Sequence, residues 1–227
     1  MNEFILIIIL FITMFTTYLL YKIYEKRGLF FAIVFQNIIS FILSFKIVTI
    51  LKLNINLGIV SILSVLTIMY LFMIKYGKKE INELIKISLY TNVLIAIFLT
   101  MINYFIPTLT ETISINIKDT FISNYKILIA YPIIMLISQI IVTKLYLFVN
   151  KLQSSKIICI ALTHIITALL YTIIFYVVGY IKVLSIKEAV YIGISTYIIG
   201  LIIMGINIVF INVLIKDKKV TKWSILP

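Results

Sequence analysis

The sequence predicts an all-α fold, a polytopic bundle of seven membrane-spanning helices. Three observations predict it. Apolar residues make up 63% of the chain and charged residues only 12%, against roughly 25% charged in an ordinary soluble domain. Mean hydropathy is +1.20. The 227 residues also divide into seven apolar runs with short polar connections: Phe4–Tyr21, Leu29–Leu51, Leu57–Ile74, Ile87–Ile106, Ile127–Val149, Ile157–Tyr180 and Ala189–Ile215. Backbone groups in hydrocarbon must be satisfied within their own segment, which makes each run a helix. The runs are also far longer than the ~10 residues of a barrel strand, and they do not alternate. Residues 1–227 therefore read as a single integral membrane domain.

The first run lacks a basic segment before it and ends in Lys22, Glu25, Lys26 and Arg27 rather than a small-residue cleavage site, so it reads as a retained span. The third and fourth runs flank Lys75-Tyr76-Gly77-Lys78-Lys79-Glu80, a basic knuckle between two greasy arms. The longest connection, residues 107–126, reads as an extracytoplasmic loop, and 216–227 as a short basic cytoplasmic tail. Pro132 falls near the start of the fifth span, where it removes a backbone donor.

The positive charges orient the bundle. With the N-terminus outside, fourteen of the twenty Lys and Arg residues face the cytoplasm: Lys22, Lys26 and Arg27; Lys75, Lys78, Lys79 and Lys86; Lys144, Lys151 and Lys156; Lys216, Lys218, Lys219 and Lys222. Lys46, Lys52, Lys118, Lys126, Lys182 and Lys187 face outward, and a six-span parse breaks the alternation. A multi-pass protein of the plasma membrane with a cytoplasmic C-terminus is expected. Lys46 and Lys144 fall inside runs and are expected to snorkel to the interface. The formal charge of +12 is spread over helix ends rather than gathered in a patch, so nucleic acid is not an expected partner.

All eight acids, Glu3, Glu25, Glu80, Glu83, Glu111, Asp119, Glu188 and Asp217, lie in loops or at helix ends. With one histidine and one cysteine, Cys159, no catalytic set, metal centre or cofactor is expected, and the chain reads as a non-enzyme. What remains is neutral. Gln36, Ser40 and Ser44 share one helix face with Asn37 beside them; Ser138 and Gln139 are adjacent; Thr163 and Thr167 lie next to a stripe of His164, Ala168 and Tyr171. Gly193, Tyr197, Gly200, Met204 and Asn207 make a small-and-polar seam. Such residues act either as glue between membrane helices or as the lining of a solute site. Gln36, Asn37, Ser138, Gln139, His164 and Asn207 are the candidate substrate-binding residues.

Several segments, in order along the chain, carry a likeness to a known family. Tyr21–Leu29, the Lys75–Glu80 knuckle, Leu136-Ile137-Ser138-Gln139, Thr172-Ile173-Ile174-Phe175 and Ser195-Thr196-Tyr197 together resemble the queuosine precursor transporter family, also described as a vitamin uptake transporter family. Lys46, Gly58, Ser138, Gln139 and Thr172 keep its polar signature. The departures are mostly acidic: Tyr70, Ile74, Val142, Tyr171 and Asn207 stand where acids are expected, and Phe41 and Ile59 where asparagines are. The resemblance implies a carrier that imports a small polar solute of the 7-deazaguanine class, with lipid and that solute as partners; a homo-oligomer is left open. Two other readings stand beside it: a substrate-binding subunit of an energised uptake complex, and a non-transporting, degenerate membrane paralogue. The first of these lacks support in Phe4–Tyr21, which has no alanine for a small-residue docking motif.

Overall fold

A computed structural model describes residues 1–102, 125–153, 155–180 and 184–216. Six helices in it are long and apolar enough to cross a membrane: α1 (Asn2–Leu43), α2 (Ile59–Tyr76), α3 (Lys78–Ile102), α4 (Tyr125–Leu152), α5 (Lys156–Gly179) and α6 (Ile186–Lys216). The bundle is inside-out relative to a water-soluble domain. Phe4, Phe11, Phe98, Ile129, Val177 and Val209 are exposed, while Gln36, Asn37, Gln139, His164 and Asn207 are buried. That is the distribution expected where the surrounding solvent is hydrocarbon.

α1 is 42 residues long and is not one rod. Glu25 has φ 47° and ψ −119°, which breaks the helical path. In a straight helix Thr13 and Gln36 would lie about 35 Å apart, yet the Gln36 Nε2 donates to the Thr13 carbonyl at 3.1 Å. The two arms therefore run back along each other. Gly28 makes the reversal sterically feasible, because a Cβ there would stand 1.9 Å from the Leu20 carbonyl oxygen. Beside the turn, the Lys26 ammonium reaches Glu80 at the start of α3 at 2.6 Å.

The second apolar run does not continue as helix to Leu51. Its helix ends at Leu43, and Ile47–Ile50 (β1) pairs antiparallel with Leu53–Asn56 (β2), in the register Ile47 with Asn56 and Ile50 with Leu53. This corrects the expectation that the run stays helical to Leu51, within a fold that is otherwise helical among the described residues. The cause is local: Ile-Val-Thr-Ile is β-branched throughout, and a partner strand of matched length follows within two residues. Lys46, expected within the span, is exposed at the foot of this hairpin. The fourth run begins early. α3 starts at Lys78 because Ile81, Leu84, Ile85 and Ser88 form a buried face with helical spacing. Most of the 107–126 loop and the tail beyond Lys216 lie outside the described residues, and the last two loop residues belong to α4.

α2 is the axis of the molecule. Fifteen consecutive residues, Ile59–Met73, are buried, so neighbours wrap it on every side. α6 runs parallel to it in a fixed register. The Asn56 N–H donates to Thr196 at 3.0 Å, Gly200 faces Ile59 and Leu63, and the Lys75 ammonium reaches the Ile215 carbonyl at 3.5 Å. α5 runs antiparallel to α6, with Gly193 against Tyr176 and Thr172, and the Tyr176 hydroxyl 2.8 Å from that of Thr196. The small residues of the α6 seam thus face protein.

Candidate functional site

All six candidate residues are buried, Gln36, Asn37 and His164 completely and Ser138, Gln139 and Asn207 to within 2%. They do not form one cluster. Gln36 is spent on the α1 fold-back, donating to Thr13, and its Oε1 has no partner. Asn37 turns the other way. Its Nδ2 donates to Ser88 at 2.7 Å, Gln139 donates to the same hydroxyl, and the Asn92 Nδ2 reaches the Asn37 Oδ1 at 3.4 Å. Asn37, Ser88, Asn92 and Gln139 make a knot tying α1, α3 and α4 together.

The other three candidates have no such bonds. Both ring nitrogens of His164, both amide atoms of Asn207 and the Ser138 hydroxyl are buried without a hydrogen-bond partner. Leaving a buried polar group unmatched costs about 1–3 kcal/mol, so each such group in a folded protein calls for a reason. The register of the helices explains how they gather. Asn56 with Thr196 and Lys75 with Ile215 set a constant offset of 140 residues between α2 and α6, which puts Asn207 level with Thr67. Tyr70 is one turn further along α2; its ring centroid lies 5.4 Å from His164 and 5.7 Å from Tyr146. The Tyr70 hydroxyl has Thr167 beside it but no hydrogen bond of ordinary geometry. Thr167 itself donates to the Thr163 carbonyl at 2.8 Å. His164 thus lies against Tyr70, and the register brings Asn207 to within about one turn of Tyr70 along α2.

A second level lies nearer the hairpin. Tyr171, stacked on Phe175, has a buried and unmatched hydroxyl there. Ser61, at the hairpin end of α2, is likewise buried without a partner. Tyr131 bonds to Ser40, which lies with Gln36 on one face of α1. Sequence reasoning missed Tyr70, Tyr131 and Ser61 as site residues because a tyrosine or serine in an apolar run reads as packing. Ser88 and Asn92 were also missed, although their spacing of four on α3 is the same signal that singled out Gln36 and Ser40.

Two cavities of about 400 Å³ lie elsewhere. One, between α3 and α4, is lined by Val93, Ile97, Pro132 and Ile133; the other, between α5 and α6, by Ile173, Val177, Val190 and Ile194. Both have apolar walls and neither includes a candidate residue. Among the described residues no three His, Cys, Asp or Glu side chains come together as a metal site. The arrangement offers hydrogen bonds without formal charge, with an aromatic face at Tyr70. No family model, curated protein or solved structure matches this chain.

Proposed function

We propose that this chain is a carrier that spans the plasma membrane seven times and imports a small, uncharged, polar solute. The two arms of α1 on either side of Glu25 count as separate spans in this reading, and the hairpin end faces outward. What supports it is that His164, in contact with Tyr70, and Asn207, about a turn away by register, keep polar atoms buried and unmatched. A guest with donors and acceptors satisfies them; glue alone does not, since glue consists of bonds already made. The 7-deazaguanine bases are the first solutes to test, because Tyr70, Tyr171 and Asn207, three of the positions where the resemblance expects acids, are among these unmatched groups. An amide and two phenols at those places keep the capacity to hydrogen-bond a base without the charge.

The test is uptake of labelled 7-deazaguanine bases into cells lacking their own carrier, with tRNA queuosine as the second readout. Uptake that falls in Asn207→Leu and Tyr70→Phe supports the reading. No uptake with the protein confirmed in the membrane removes the substrate. A second reading, a membrane scaffold without transport, is favoured by the Asn37–Ser88–Gln139 knot, where two candidate residues serve packing alone. It predicts that His164 and Asn207 can be made apolar with no loss beyond stability.

A further inference from the structure

We infer that the Ile47–Asn56 hairpin is a lid over the polar interior, latched by Asn56; this rests on the carrier reading for its purpose, though not for its test. The hairpin is short, four residues per strand, and a two-stranded hairpin of that size is marginal without support. Its turn is strained. Leu51 has φ 50° and Lys52 φ 64°, a two-residue turn that Asn-Gly fills readily and that an ordinary side chain enters at a cost. The closed form therefore depends on what holds it from outside.

On the exposed rim the ties are slight: Asn2 to the Thr49 carbonyl at 2.9 Å, the Leu51 N–H to Glu3 at 3.1 Å, and the Tyr191 hydroxyl to the Lys52 carbonyl at 3.4 Å. The buried edge is different. The Asn56 Nδ2 donates to the Ser44 carbonyl at 2.6 Å and to the Tyr180 hydroxyl at 2.7 Å, its Oδ1 accepts the Gly58 N–H at 2.8 Å, and its N–H donates to Thr196. One side chain thus binds the end of α1, the start of α2 and the end of α5, and its own backbone adds α6. Below it an aromatic column leads inward: Tyr180 lies 5.6 Å from Phe175, and Phe175 is stacked 5.4 Å from Tyr171, whose hydroxyl is unmatched. Ile50 and Ile55 also seat the inner face of the hairpin in the core, so the strained turn and the Asn56 latch govern how readily it lifts from the unmatched Ser61 and Tyr171.

The test needs no solute. With Cys159→Ala removing the native thiol, Ser61→Cys places one thiol a turn below Gly58, and a water-soluble maleimide reads its exposure in protein held in nanodiscs. Asn56→Ala should speed labelling about tenfold, because several latch bonds are lost together. Leu51→Asn with Lys52→Gly relieves the turn and should slow labelling about fivefold, the opposite sign in a variant that keeps the fold. Equal rates in all three proteins, or slower labelling in Asn56→Ala, overturn the lid. If Asn56→Ala does not fold, the turn variant decides alone: unchanged or faster labelling refutes the proposal. A chain that opens and closes as described yet takes up no solute retains its lid and loses only the carrier reading.

Discussion

Asn207 provides the sharpest test, because replacing a buried polar residue with an apolar one should here make the protein more stable. Neither amide atom of Asn207 has a partner, and the side chain is 1% exposed. Leucine has the same branching and carries no group to desolvate. Removing two unmatched atoms should stabilise the protein by about 1–3 kcal/mol, which for a chain of this size raises Tm by about 2–10 °C. Asn37→Leu is the control with the opposite sign. It deletes the bond to Ser88 and leaves the Asn92 amide with nothing to donate to, so stability should fall by about 2–4 kcal/mol. Thermal unfolding of detergent-purified protein, followed by tryptophan-independent light scattering or by thiol exposure of buried Cys159, separates the two. If Asn207→Leu unfolds earlier than the parent, Asn207 is glue and the unmatched-group reasoning fails.

Three further outcomes follow from the same geometry. Gly28→Ala should prevent the α1 fold-back, since the new Cβ meets the Leu20 carbonyl oxygen at 1.9 Å; loss of monodisperse protein on gel filtration is the expected result. Ser88→Ala removes the shared acceptor for Asn37 and Gln139 and should cost about 2–4 kcal/mol, read as a lower Tm. Glu80→Gln should cost no more than about 1 kcal/mol, because Lys26 and Glu80 are each about a third exposed and water screens the pair; its effect should shrink further in high salt.

Most of the helical architecture was legible in the sequence, and the reason is the solvent. Hydrocarbon enforces internal backbone bonding, so apolar length alone marks where α2, α5 and α6 run. The buried polar faces were legible too, since Gln36, Ser40 and Ser44 repeat every four residues. The hairpin was not. Ile47-Val48-Thr49-Ile50 is as greasy as the span before it, and Leu51-Lys52 carries none of the glycine or asparagine that announces a tight turn. Nor could spacing reveal which faces meet. Gln36 and Asn37 are neighbours in the chain, yet one turns to Thr13 and the other to Ser88, because successive residues on a helix point about 100° apart. Tyr70 reads as bulk until the approach of His164 shows it at the centre.

The enclosure of Ile59–Met73 within α2 has a consequence for biosynthesis. Its neighbour α6 begins at Ile186, so at ordinary elongation rates it emerges on the order of ten seconds after Tyr76. During that interval the newly made axis has lipid where α6 will later stand. Those fifteen residues must therefore be tolerable in two successive environments, which accounts for isoleucine, valine and leucine on every side of a stretch that ends up buried in protein. A polar substitution on α2 that the finished bundle would accommodate still has to survive that wait.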